Sequence, residues 1–186
     1  MRCFLGLTVP EPLLPLMLGL QEAVPVGRPV PEENLHLTLA FLDDQPEAVL
    51  HELHMALDGS PLPGCEMAVA GLTAFGGRRV KLLAAEVARE PGLVALRRVV
   101  LKAVTAAGIE LPRERFRPHV TLVRFGAGLG AADRSRFDDA VAHHAGVRSD
   151  PAPVEVMRLV GSTLTPAGAV YETLAEYRLD AGSGED

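Results

Sequence analysis

Two triplets in this chain could do chemistry together: His36-Leu37-Thr38 and His119-Val120-Thr121. Each is a His-x-Thr followed by an apolar residue, Leu39 and Leu122. With six histidines in 186 residues, coincidence rarely supplies two such triplets in matching contexts. Both fall on predicted strands, where side chains at i and i+2 share a face. His36 and Thr38 therefore point one way, and Leu35, Leu37, Leu39 and Phe41 are expected in the core. His119 and Thr121 share a face in the same way, with Val120 and Leu122 on the other. Set against each other across a cleft, the two strands offer two imidazoles and two hydroxyls around one small site.

Phosphate-ester chemistry can use that set. An imidazole titrates near pH ~6.5, so one ring can be neutral while the other is protonated. The neutral ring takes a proton from water and the protonated ring gives one to a departing alkoxide, each worth about 10²–10⁴-fold. Threonine hydroxyls can hold the non-bridging oxygens where charge must be stabilised. This chemistry calls for no metal and no cofactor. A lone histidine on a strand is more often a hydrogen-bonded structural residue; the matching of two is what favours catalysis here.

Regular elements must position these residues. Strands are predicted at 2–9, 35–42, 65–75, 79–88, 116–125, 153–164 and 169–179. Helices are predicted at 11–24, 46–57, 92–107 and 131–145. Residues 25–34, with three prolines and Gly27, read as a loop. Gly76-Gly77 marks a hairpin turn, as does Pro166-Ala167-Gly168. The order β-α-β-α-β-β-α-β-α-β-β divides into two similar halves, and the second strand of each carries a His-x-Thr. That points to a two-lobed α+β fold with a cleft between the lobes. Residues 1–180 read as one domain and 181–186 as a flexible polar tail.

Composition narrows the function. The net charge is −6 and the pI about 5.5, against a protein that coats long duplex nucleic acid, though a local pocket for an RNA end or a cyclic nucleotide is compatible. Two cysteines fit a reducing cytoplasm and are too few for a disulfide framework. No apolar run is long enough for a membrane span. The Cys3–Leu7 run breaks at Pro10-Glu11-Pro12, so a signal peptide is not expected. An acidic cytoplasmic monomer is the default expectation.

The segments Pro31–Leu42 and Phe116–Arg124 resemble the two signatures of the two-histidine phosphoesterases. The match is to the bacterial and archaeal RNA 2′,3′-cyclic phosphodiesterases, also called the 2′-5′ RNA ligase family. The opening Arg2–Leu7 and the stretch from Ser162 through Tyr171 to Leu179 fit as well, so the resemblance spans nearly the whole chain. It implies a bilobal fold, two antiparallel sheets with helices outside and a central cleft. It implies hydrolysis of an RNA 2′,3′-cyclic phosphate to a 2′-phosphate, with His36 as proton donor and His119 as acceptor. The near-symmetry of the motifs leaves those roles open on sequence alone. Members also join RNA ends through a 2′-5′ linkage. Small cyclic nucleotides or ADP-ribose cyclic phosphate are alternative substrates, and a nucleotide-binding module without turnover is a third reading. The family often has a tryptophan in the strand after the Gly-Gly turn; this chain has none.

Other candidates surround the motifs. Arg117, two before His119, shares its side by alternation and could touch phosphate. Arg124, five after His119, falls on the opposite face by strict alternation, whereas the resemblance favours a phosphate-side arginine there; a strand bulge would reconcile the two. Phe41, Phe75, Phe125 and Tyr171 are the aromatics to consider for base stacking, with Phe41 and Tyr171 better read as structural. His51 and His54, three apart on a helix, read as surface residues rather than a metal pair, and so do His143 and His144.

Overall fold

The computed structural model describes residues 1–126, 129–166 and 168–180. The expected tail at 181–186 and Ala167 of the second expected turn lie outside the described residues. The strands are β1 (Arg2–Thr8), β2 (Arg28–Pro29), β3 (His36–Asp44), β4 (Cys65–Met67), β5 (Val69–Phe75), β6 (Leu82–Val87), β7 (His119–Arg124), β8 (Ala152–Val154), β9 (Val156–Thr165) and β10 (Gly168–Arg178). The helices are α1 (Leu14–Ala23), α2 (Glu47–Asp58), α3 (Pro91–Ala106) and α4 (Ala131–His144).

Local sequence explains the helix ends and buried faces. Pro91 occupies the first position of α3, where its missing N–H costs nothing. Glu90 caps that helix by accepting from the backbone N–H of Gly92, 2.8 Å away, and of Leu93. Leu93, Leu96, Val100 and Val104 form the buried stripe of α3, and Gly108 follows the helix at φ +80°. In α2 the stripe is Leu50, Leu53 and Leu57.

The structure corrects three expectations. The run 65–75 is two strands, and so is 153–164. Their outer pieces, β4 and β8, pair with each other as a separate two-stranded antiparallel sheet. The loop 25–34 contains the short strand β2, paired to β7, and a 3₁₀ turn at Glu32–Asn34.

The remaining strands form one antiparallel sheet in the order β10-β9-β1-β3-β7-β6-β5, with β2 joining beside β7. Its two halves meet between β3 and β7, where among the described residues one register pair, Leu37 with Val120, joins them. One face of the sheet is apolar. Leu5, Leu7, Leu37, Leu39, Val120 and Leu122 lie on it, and all four helices contribute buried residues to the same core cluster. His36, Thr38, His119 and Thr121 lie on the opposite face.

Candidate active site

The Leu37–Val120 pair fixes what lies around the junction. Continuing its antiparallel register one residue each way sets His36 across from Thr121 and Thr38 across from His119. Each imidazole thus neighbours the other motif's hydroxyl. Both threonines are half-buried, and neither hydroxyl makes a hydrogen bond to another described residue.

The two rings are held alike. His36 Nδ1 lies 2.7 Å from the carbonyl oxygen of Asn34, and His119 Nδ1 lies 2.7 Å from that of Arg117. A carbonyl only accepts, so Nδ1 carries the proton in each ring and Nε2 is left to exchange protons. Each ring also rests on a phenylalanine. Phe4 stacks on His36 with centroids 4.5 Å apart, and Phe75 tilts against His119 at 4.7 Å. Tyr171 meets the His36 ring edge-on at 5.5 Å. Gly6 leaves room for this stack, since a Cβ there would lie 3.2 Å from Phe4 Cε2 and 3.4 Å from His36 Cδ2.

The environments of the two rings differ. Burial pushes the His36 imidazole below its ordinary pKa, and the positive charges of Arg124 and His119 push it further the same way. The Asn34 carbonyl, which accepts from the charged form, works against them. The free site therefore favours neutral His36.

Both motif strands carry a bulge one residue past the threonine. Against β1, Gly6 pairs with Thr38 and Leu5 with Ala40, so Leu39 is extra. Against β6, Ala84 pairs with Thr121 and Leu83 with Val123, so Leu122 is extra. A one-residue bulge flips the faces of all later residues in its strand. Arg124 therefore returns to the face of His119 and Thr121, the redirection that alternation alone did not allow. Phe41 turns out of the core to the face of His36, where it is 59% exposed. Its expected core position was wrong for this reason. The extra residues have their carbonyls satisfied: Leu39 accepts from Arg97 Nε at 3.3 Å, and Leu122 from Gln21 Nε2 and the Val30 N–H, each at 2.8 Å.

The other sequence candidates divide between the site and its surroundings. The Arg117 guanidinium lies over Phe75 at 4.6 Å and 4.0 Å from Glu86, beside His119. Phe75 is at the site. Phe125 is buried edge-on against Phe137 and takes no part. His54 is tied to the Tyr177 hydroxyl at 3.0 Å, and among the described residues no three metal-ligating side chains gather. Sequence reasoning missed Phe4, Gly6 and Arg97, whose roles are pairing and packing, and Arg28, which β2 sets opposite Arg124. A cleft of about 750 Å³ opens from Thr38 and His119 toward Phe41, Arg97 and residues 111–117.

Comparisons with known proteins bear on the family and the fold. A family model described as the 2′-5′ RNA ligase superfamily matches residues 21–160. An RNA 2′,3′-cyclic phosphodiesterase of Geobacillus stearothermophilus is 33% identical over 171 residues, covering 84% of this chain and 50% of that protein. The chain thus spans about half the length of that relative. One from Aeropyrum pernix is 30% identical over 158 residues, covering 83% of this chain and 87% of that protein. A Thermus thermophilus crystal structure superposes with a TM-score of 0.78 at 26% identity, over 96% of this chain and 98% of that one. Escherichia coli LigT complexed with 3′-AMP shares the fold, with a TM-score of 0.72 at 22% identity over 97% and 98%.

Proposed function

The chain belongs to the 2′-5′ RNA ligase superfamily, and from that membership and the crossed His–Thr pairs we propose that it hydrolyses RNA 2′,3′-cyclic phosphate ends to 2′-phosphates. The observation that carries this reading is the Leu37–Val120 register, which gathers both motifs on one open face.

In this reading His119 Nε2 takes a proton from water as the water oxygen bonds to phosphorus. The P–O3′ bond breaks, and O3′ takes the proton held on His36 Nε2. The product keeps its phosphate on O2′, and the two rings re-exchange their protons with solvent. Thr38 and Thr121 donate to the non-bridging oxygens, and Arg124, with Arg117 beside His119, holds their charge. His36 must enter protonated, against the burial and charges that favour its neutral form. The phosphate's negative charge, arriving between the rings, offsets that of Arg124 and favours that proton, and His119, neutral as the acceptor, adds no opposing charge.

With a 5′-hydroxyl in place of water, the same steps form a 2′-5′ linkage. Residues 1–180 act as one domain in this reading. A cytoplasmic setting suits two cysteines that are buried free thiols.

The test is an RNA oligonucleotide ending in a 2′,3′-cyclic phosphate, incubated with EDTA. Wild type is expected to release a 2′-phosphate end, and His36→Ala and His119→Ala are expected to lose this activity. No turnover by folded wild type would overturn the RNA assignment and move the search to small cyclic phosphates. A loss with EDTA that zinc or manganese restores would overturn the metal-independent mechanism.

A further inference from the structure

The chain carries net charge −6, yet the segment entering β7 reads Arg113-Glu114-Arg115-Phe116-Arg117. This segment lines the 750 Å³ cleft beside Thr38 and His119. It also lines a second hollow of about 590 Å³, which shares Phe75, Arg115, Phe116, Arg117 and His119 with the first. Arg115–Arg117 is thus a ridge between two hollows that both border His119. Either hollow is large compared with one phosphate group.

The side chains on this ridge have the character of a single-strand track. Arg113 and Arg115 are exposed, and neither makes an ion pair or side-chain hydrogen bond with another described residue. Arg97 lies over the Phe116 ring at 4.4 Å, and Arg117 over Phe75 at 4.6 Å. Guanidinium groups layered on aromatic rings, next to two uncommitted cations, suit a backbone of phosphates with bases that stack. Glu114 and Glu86 lie among them, so the ridge is a local track rather than a uniformly basic surface.

We propose that Arg113 and Arg115, with Phe116 next to them, form a second RNA-binding site that holds the polynucleotide tail beyond the reacting terminal nucleotide. The proposal rests on the phosphodiesterase reading and makes its preferred substrate an RNA strand rather than a cyclic mononucleotide.

The experiment compares a 2′,3′-cyclic mononucleotide with a pentanucleotide bearing the same 2′,3′-cyclic end, in wild type and in the Arg113→Ala/Arg115→Ala double variant. Wild type is expected to favour the pentanucleotide in kcat/KM by about tenfold, mostly through KM. The double variant is expected to lose that preference and to process the mononucleotide as wild type does. Its log–log salt dependence on the pentanucleotide should flatten by about 0.7 per arginine that touches a phosphate. Equal kcat/KM for the two substrates, unchanged in the variant, overturns the second site and leaves the phosphodiesterase reading standing. No turnover of either substrate by folded wild type overturns both.

Discussion

Leu37 faces Val120 where the two halves of the sheet meet, and among the described residues this is the one register pair between β3 and β7. Both side chains are fully buried. Their strand neighbours, His36 and Thr38 beside Leu37 and His119 and Thr121 beside Val120, must then project from the other face. An antiparallel register also crosses them, so neither motif is complete without the other. A slip of one residue here would send a strand's own pair of functional groups into the core.

If Thr38 and Thr121 hold equivalent oxygens, removing either hydroxyl should have a similar effect. Thr38→Val and Thr121→Val are expected to lower kcat by about 10²-fold each, the scale of one lost oxyanion donor. Both should fold as wild type does, because neither hydroxyl has a hydrogen-bond partner among the described residues to lose. Steady-state kinetics beside thermal melts checks this. Wild-type kcat in either variant would remove that threonine from the site.

His36 should titrate below the ordinary imidazole value of about 6.5 in an NMR pH series, because burial and then Arg124 and His119 disfavour its charged form. Arg124→Gln is expected to raise the midpoint, and a bound phosphate should raise it too. Unfolded His36 binds protons more readily than folded His36. Its contribution to stability is therefore present above its unfolded pKa and is lost as pH falls through the folded one. A midpoint at or above the ordinary value, unmoved by Arg124→Gln, would contradict this environment.

The bulge at Leu39 makes a separable claim about stability. Phe41→Ala is expected to change unfolding free energy by no more than about 1 kcal/mol, as at an exposed position. Leu39→Ala should cost about 2–5 kcal/mol, because its side chain is buried. Urea titrations of the two variants decide it. A loss for Phe41→Ala as large as that for Leu39→Ala would return the ring to the core and remove the bulge.

Period-2 alternation located the four motif residues because their strands are regular from His36 to Thr38 and from His119 to Thr121. It failed one residue later. A bulge is a pairing fact, set by what β1 and β6 present opposite, and the motif strands do not announce it. Leu39-Ala40 and Leu122-Val123 are consecutive buried pairs, which is the local trace such a bulge leaves. The split of 65–75 and 153–164 was hidden for the same reason: β4 and β8 are defined by each other across the chain. Helix boundaries were more legible, since Pro91, Glu90 and Gly108 act locally.

Gly6 tests whether the His36 ring is placed by the strand beneath it. A Cβ at Gly6 would already crowd Phe4, the Leu37 carbonyl at 3.3 Å and the His36 ring. The two γ-methyls of valine cannot fit without moving the Phe4–His36 stack. In the proposed mechanism His36 is the proton donor, and displacing such a group by roughly 1 Å can cost about 10²-fold in rate. Gly6→Val is therefore expected to lose kcat on that scale and to shift the His36 ring resonances. Those of His119, which rests on Phe75 in the other half of the sheet, should stay in place. Retention of wild-type kcat by folded Gly6→Val would mean that the Asn34 carbonyl alone holds the ring, and that the Phe4 stack is packing without a part in catalysis.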